Sequence, residues 1–345
     1  MGFTWKKSKK RKHSFSIKSF FLTTSTVFFS ILFLFSVLAY NSIKKPFVSA
    51  SSSSSSDMLT KEVTSILVVE VGDITDFSSN VTSATVLIVD RTDKKITRFE
   101  IPFELEIDIP GDYGVEPVAK ILPLAVSVNN DNYDKGFALF NSSISKHLGF
   151  GIDYYLVSDS KGVPKILNVL TEGSLLSTTS LFKDLYFSGS IDSLRTNMDL
   201  TVFNNYREFA AALEPGDYTV FSKDNFSTLF IDTSLQDIVY NSEVALERKS
   251  IAILNGTTMS GLASFGSRVV ANMGGRVIAT SNTRIAYESS MLIVDDKDSA
   301  TVKYLVDFFN IETVLDKSES LGINENEISR ADITLILGFD IGKNL

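Results

Sequence analysis

Holding a phosphate or diphosphate while a group is transferred requires guanidinium or ammonium groups on the non-bridging oxygens, commonly with a divalent cation among them. Between Asp57 and Glu247 the chain offers four arginines, Arg91, Arg98, Arg195 and Arg207. Arg91 belongs to the polar turn Arg91-Thr-Asp-Lys-Lys, and Arg207 to an amphipathic segment from Leu200 to Leu213, so neither is placed for catalysis by its local context. Arg98, Lys120, Asp159 and Arg195 are the candidates left for a reduced phosphate or metal site. Each also has a plainer role. Exposed cations are mostly solvated surface groups, and an aspartate directly after a strand caps or turns the chain.

Other chemistries find less. The histidines are His13 and His147; a Ser-His-Asp hydrolase would have to use His147, which lies near a helix end where it meets the helix dipole. The chain has no cysteine, which excludes a disulfide framework, a thiolate metal site and a cysteine nucleophile. A zinc site would lack both cysteine and a second histidine on the same side of the membrane. Carboxylate neighbours such as Glu104 with Glu106 and Asp295 with Asp296 carry no glycosidase signal, because two carboxylates flanking a substrate do not follow from local spacing. Gly256-Thr-Thr-Met-Ser-Gly261 has the glycine spacing of a P-loop, but Leu262 and Ala263 stand where Lys and Ser or Thr are required. Asn255, Gly256 and Gly261 therefore read as a tight turn with a close helix entry, with a weak anion contact at the helix N-terminus as the alternative. No cofactor is expected, and Mg²⁺ only if the chain transfers phosphate.

The elements that must position these groups hang from one stretch. No charge interrupts the sequence between Lys18 and Lys44, and about 20 apolar residues suffice for a helix to cross a hydrocarbon core. Residues 19–43 read as a transmembrane helix, preferred over a cleaved signal peptide because the apolar run is long and no small-x-small site follows Tyr40. The basic residues of 1–18 place that tail in the cytoplasm and the remainder outside the plasma membrane. Nine of the 33 Lys and Arg lie in residues 1–45, which hold no Asp or Glu, leaving 24 basic against 41 acidic side chains beyond them. Such a balance repels nucleic acid. An exported chain of this size without cysteine fits a bacterium, so its four Asn-x-Ser/Thr triplets are chance sequons.

Residues 44–57 form a Ser-rich linker, 58–247 a first domain and 248–345 a second. In the first, Ser65-Ile-Leu-Val-Val-Glu-Val, a hairpin from Ala84 to Ile101, a helix through Phe137, Phe140, Ile144 and Leu148 ending at Gly149, and the strand Ile152-Asp-Tyr-Tyr-Leu-Val argue for a layered α/β domain. Thr228-Leu-Phe-Ile-Asp and Leu235-Gln-Asp-Ile-Val-Tyr close it. In the second, the order from Lys249 is close to βαββαββ, a small α/β sandwich.

Hairpin, Ile101-Pro102, the Ile109-Pro-Gly turn, Lys120-Ile121, the helix ending at Gly149 and Gly151-Ile-Asp-Tyr-Tyr-Leu-Val-Ser-Asp occur in the order of the LytR-CpsA-Psr (LCP) family, which residues 65–212 resemble. That resemblance implies a single-pass membrane protein transferring glycan phosphates from polyprenyl pyrophosphate carriers to the cell wall. Its site residues are poorly matched: Phe103 stands where the family has a pyrophosphate-holding arginine, Ala84 falls near the metal-binding acid, and Leu122 replaces the Asn of Lys-Ile-Asn. The later arginine-rich segment is missing. Residues 249–342 resemble the LytR C-terminal domain through Ile253-Leu-Asn-Gly-Thr, Ser260-Gly-Leu-Ala, Gly274-Gly275 and the terminal Asp332-Ile-Thr-Leu-Ile-Leu-Gly.

Two functions of different class follow. One is a non-catalytic, membrane-tethered envelope protein, a pseudoenzyme that binds cell-wall glycan, a polyprenyl-linked precursor or another envelope protein. The other is a divergent phosphotransferase using substitute cations. The second requires at least two of Arg98, Lys120, Arg195 and other basic groups to converge with an acidic metal ligand on one pocket.

Overall fold

The computed structural model describes residues 17–47, 63–76, 78–110, 113–188, 194–221, 232–234 and 238–342. The basic tail up to residue 16, the serine run 49–56 and the segment from Thr228 to Ile231 lie outside them.

Helix α1 (Ile17–Lys44) contains a stretch, Thr24–Lys44, long and apolar enough to cross a membrane, and none of it is buried against the rest of the chain. Its hydroxyls are absorbed by its own backbone: Thr26 donates to the Leu22 carbonyl at 2.8 Å, Ser30 to Thr26 at 2.8 Å and Ser36 to Leu32 at 2.9 Å. Of the linker expected over 44–57, residues 48–57 lie outside the described residues. Phe47, inside the expected linker, is buried with its ring 5.4 Å from Phe203.

Residues 63–221 fold around a six-stranded mixed sheet of order β7-β6-β1-β2-β3-β8. Its strands are β1 (Val63–Val71), β2 (Val81–Asp90), β3 (Lys95–Ile101), β6 (Tyr154–Ser158), β7 (Arg195–Thr196) and β8 (Tyr218–Phe221). The expected hairpin is β2–β3, antiparallel from Ala84 opposite Ile101 to Asp90 opposite Lys95. A short ribbon of β4 (Glu106–Ile109) and β5 (Gly114–Pro117) leads into α2 (Val118–Val128) and α3 (Tyr133–Leu148). These two helices cover one sheet face through Ile121, Val126, Phe137, Phe140 and Ile144. The other face is covered by α4 (Gly162–Glu172), α5 (Leu175–Ser188) and α6 (Leu200–Ala211), through Ile166, Leu170, Leu185 and Phe203. Strand alternation accounts for both cores: on β1, Leu67 and Val69 face α2 and α3 while Ile66 and Val68 face the opposite layer. Gly149 ends α3 with φ +73°, the left-handed C-terminal conformation that its position predicts.

After α7 (Ser242–Glu247), residues 250–337 form a five-stranded sheet of order β10-β9-β13-β11-β12. The elements run β9 (Ser250–Asn255), α8 (Leu262–Asn272), β10 (Arg276–Asn282), β11 (Met291–Val294), α9 (Ala300–Phe309), β12 (Thr313–Asp316) and β13 (Ile333–Leu337), followed by a short α10 (Phe339–Gly342). The order is βαββαββ, as the periodicity implies, and the chain as a whole is mixed α/β. Helices α8 and α9 cover one face; the other is closed by a loop carrying Ile323 and Ile328.

The two sheets share a device at the starts of their parallel strands. Asp153 accepts from the Ser65 amide at 2.8 Å and hydroxyl at 3.0 Å, and Ser65 Oγ accepts from the Asp153 amide at 3.0 Å. Asp332 and Ser250 repeat it, at 2.7, 2.7 and 3.0 Å. Each clasp satisfies a strand-end amide on both members of a parallel pair, β1 with β6 and β9 with β13. The Ser250 hydroxyl and amide hold the Asp332 carboxyl below its usual 3.8. Ser250→Ala is expected to cost about 1 kcal/mol in urea unfolding. The carboxylate's contribution is present above pH 3.8 and is lost as pH falls through the lower folded value. The variant should therefore lose less stability on acidification below pH 3.8 than the parent, with the Asp332 titration, followed by NMR, returning toward 3.8.

Candidate functional site

The structure separates the four candidate groups. Arg98 lies on β3 with Ile96 and Glu100, facing the α4–α6 layer; its guanidinium is 2.7 Å from Glu100. Arg195 lies on β7 and faces the other layer, with its guanidinium carbon 4.3 Å from the centre of the Tyr133 ring. Three strands intervene between β3 and β7, so at roughly 4.8 Å per strand the two arginines stand about 19 Å apart across the sheet, on opposite faces. Lys120 is exposed in the first turn of α2. The Arg195–Tyr133 stack sits beyond the far end of that helix, about 12 Å further along its axis at 1.5 Å per residue. Asp159 follows β6, and its Oδ1 accepts from the Lys161 amide at 3.0 Å and the Gly162 amide at 2.8 Å, capping the start of α4.

No arginine falls in residues 48–62, 77, 111–112, 189–193, 222–231 or 235–237, so the placement of guanidinium groups in this half of the chain is complete. Arg91 lies over the rings of Tyr206 and Phe209 at 5.0 and 5.8 Å, and Arg207 pairs with Glu208 at 2.9 Å. The substituted family positions follow suit. Ala84 and Leu122 are buried in the core under α2 and α3, and Phe103 is 38% exposed on a turn. Among the described residues no three His, Cys, Asp or Glu side chains are grouped to hold a metal ion.

The loop from Asn255 to Gly261 is a structural turn. Asn255 Oδ1 accepts from the Thr257 amide at 2.9 Å and hydroxyl at 2.8 Å, and its Nδ2 donates to the Met259 carbonyl at 2.7 Å. The Gly256 amide donates to the Leu337 carbonyl at 2.8 Å, and a Cβ there would lie 2.9 Å from that oxygen. Gly261 has φ +85°, in the left-handed region.

The most concentrated polar geometry lies where sequence spacing gives no hint of it, at the junction of the two sheets. Arg268 on α8 reaches the exposed carbonyls at the C-terminal end of α3, donating to His147 O at 2.8 Å, Lys146 O at 3.3 Å and Leu148 O at 3.4 Å. The same guanidinium grips Asp232 through Nε at 2.7 and 3.0 Å, and Asn272 donates to Gly149 O at 3.1 Å. A cation on the last carbonyls of a helix meets the negative end of its dipole, and a carboxylate completes the charge balance. Arg268 and Asp232 are 36 residues apart and contact α3 from more than 80 residues away, so no local pattern marks them. Beside them, Phe308 lies 3.1 Å from where a Gly151 Cβ would be, and burial pushes the Tyr304 phenol up to about 12.

His147 sits in the last turn of α3, as its helical position implies, but half-buried against this junction. Burial, reinforced by the Arg268 charge and opposed by Asp232, lowers its pKa to about 4. It is a neutral imidazole at neutral pH, packed against the Arg268 clamp.

Neither a family model nor a curated protein matches the chain. Among solved structures it is similar to TagT bound to LI-WTA, with 13% identity over 47% of this chain and 79% of that one and a TM-score of 0.33. It is similar to TagV of B. subtilis, with 12% identity over 47% of this chain and 85% of that one and a TM-score of 0.33. It is also similar to the transcriptional regulator yvhJ of Bacillus subtilis, with 13% identity over 52% of this chain and 97% of that one and a TM-score of 0.37. TagT and TagV are LCP-family proteins.

Replacing Arg268 by Ala should destabilise the chain by about 2 kcal/mol in urea unfolding, since it strips a charge-assisted donor from three carbonyls and a carboxylate; Arg98→Ala, removing a half-exposed pair, should cost about 0.5 kcal/mol. The folded chain resists protonating His147 until about pH 4, whereas the unfolded chain takes that proton near 6.5. Stability from this residue is complete above pH 6.5 and falls as pH drops toward 4, by on the order of 2 kcal/mol. His147→Gln should flatten that part of a stability–pH curve.

Proposed function

We propose that this chain is an LCP-type cell-envelope protein, held by α1 with its N-terminus in the cytoplasm and residues 45–345 outside, that binds without catalysing transfer. What supports the anchor is the apolar Thr24–Lys44 stretch, which has no charge before Lys44 and is exposed along most of its length, and what supports the orientation is the lysine-rich tail before it. The ordered resemblance of residues 65–212 to the LCP pattern supports the class, and the βαββαββ order of residues 250–337 supports a LytR C-terminal domain as the second unit. The ligand is a cell-wall glycan, a polyprenyl-linked precursor or another envelope protein.

One observation carries the non-catalytic part. Each arginine of residues 63–221 faces a ring or a carboxylate on its own patch of surface, and Arg98 and Arg195 stand on opposite faces of the sheet. A diphosphate leaving group needs its charge neutralised as it develops, by cations that share one space with it. Nothing in the arrangement of Arg98, Lys120, Asp159 and Arg195 provides that space.

The test is to incubate the full chain in nanodiscs with polyprenyl pyrophosphate and Mg²⁺ and to measure binding and phosphate release together. Binding with release no faster than in empty nanodiscs is the expected result. Release that depends on the protein, and that drops when Arg98 or Arg195 is replaced by Ala, would establish a phosphotransferase with substitute cations and overturn the proposal.

A further inference from the structure

The last turn of α1 is joined to the body of the protein. Side chains are exposed along most of the apolar helix, but Ala39, Ser42 and Ile43 are half-buried, and Pro46 and Phe47 are buried. Helix α1 contacts α5, and the Phe47 ring meets Phe203, whose ring is in turn 6.5 Å from Phe182 on α5. From Tyr40, the end of the apolar run, to Lys44 is about 6 Å of helix. The headgroup layer on each side of a bilayer is roughly 5 to 8 Å deep. The contact between α1 and α5 therefore lies at headgroup depth.

Helix α5 has an unequal surface. Thr178, Leu181 and Leu185 are buried toward the sheet. The opposite side opens with Leu175 and Leu176, 66% and 86% exposed, and continues with exposed Thr179 and Lys183. Leu175 is seven residues from Phe182, about 10 Å along the helix. Two adjacent bare leucines with a lysine on the same side match a helix lying in a membrane interface, apolar groups down and ammonium at the phosphates. Lys44 and Lys45 add two more cations at the end of α1.

We infer that the first turn of α5 inserts Leu175 and Leu176 into the leaflet from which α1 emerges, so that the folded body is seated on the lipid surface at a second point. The inference rests on α1 being a membrane anchor. Its consequence is an orientation: the layer of α4, α5 and α6 faces the bilayer, and the layer of α2 and α3 faces away.

The experiment uses the full chain in nanodiscs, in a Trp5→Phe background, with single tryptophans introduced as Leu176→Trp, Leu175→Trp, Phe33→Trp and Leu321→Trp. Fluorescence is compared between ordinary lipids and lipids brominated near the headgroup or at mid-chain. Both α5 probes are expected to emit at shorter wavelength than Leu321→Trp and to lose most of their emission to shallow bromines, while Phe33→Trp is quenched by deep ones and Leu321→Trp by neither. Quenching of Phe33→Trp with none at 175 or 176 overturns the inference and leaves the anchor standing. No quenching at Phe33→Trp overturns both. Blue-shifted emission at 175 and 176 without quenching shows a protein neighbour, such as a second copy of the chain, and also overturns it.

Discussion

A diphosphate presents its charge on a cluster of oxygens a few ångströms across, and only cations that face that same small volume can neutralise it. Coulomb energy at a solvated surface falls within about a Debye length, close to 8 Å at physiological salt. The proposal of binding without transfer turns on that limit. Arg98 and Arg195 are separated by three strands and by the thickness of the sheet, so they cannot act on one ligand in this fold. Arg91 and Arg207 are engaged with Tyr206, Phe209 and Glu208. Moving Arg98 toward Arg195 would require breaking the register of β3, which is paired with β2 along seven residues.

The same restraint makes the cationic groups structural elsewhere. Arg268 spans three carbonyls of α3 and the carboxylate of Asp232, and Asn272 adds a fourth carbonyl. The αL conformation at Gly149 exposes those carbonyls by ending the helix, and the absence of a Cβ at Gly149 and Gly151 lets α8 and Phe308 approach. Helix end, glycine pair and guanidinium thus meet in one joint between α3 and α8. His147 shares it, which is why a histidine that is easily read as a dipole-facing surface residue is kept neutral.

Much of this architecture was legible in the sequence where one layer of packing decides it. The strands of the second sheet are short β-branched runs between turns, and α3, α8 and α9 carry apolar residues at helical spacing, so local pattern and burial agree. Helices α4 and α5 were not read. The sequence Leu175-Leu-Ser-Thr-Thr-Ser-Leu-Phe-Lys-Asp-Leu-Tyr-Phe-Ser mixes hydroxyls with apolar groups on both sides, and its two outward leucines blur the stripe that marks a buried face. Strand β8 pairs with β3 across more than 100 residues, and the Ser65–Asp153 and Ser250–Asp332 clasps span 88 and 82. Such contacts leave no local trace. The four candidate site residues were identifiable by type, and their separation was not, because it depends on which strand each occupies and which way it faces.

The burial of Phe47 alters what a membrane anchor does here. A chain joined to its helix by a long serine tether samples a broad volume above the bilayer, and its ligand contacts are averaged over orientation. Packing of Phe47 against Phe203, with α5 against the last turn of α1, ties the body to the helix within a few residues of the hydrocarbon boundary. Phe47 shares its core layer with Ile66 and Val68 of β1, so the end of α1 and the sheet belong to one packed cluster. Under the proposed membrane anchoring, a body so held presents one fixed surface to the lipid and another away from it.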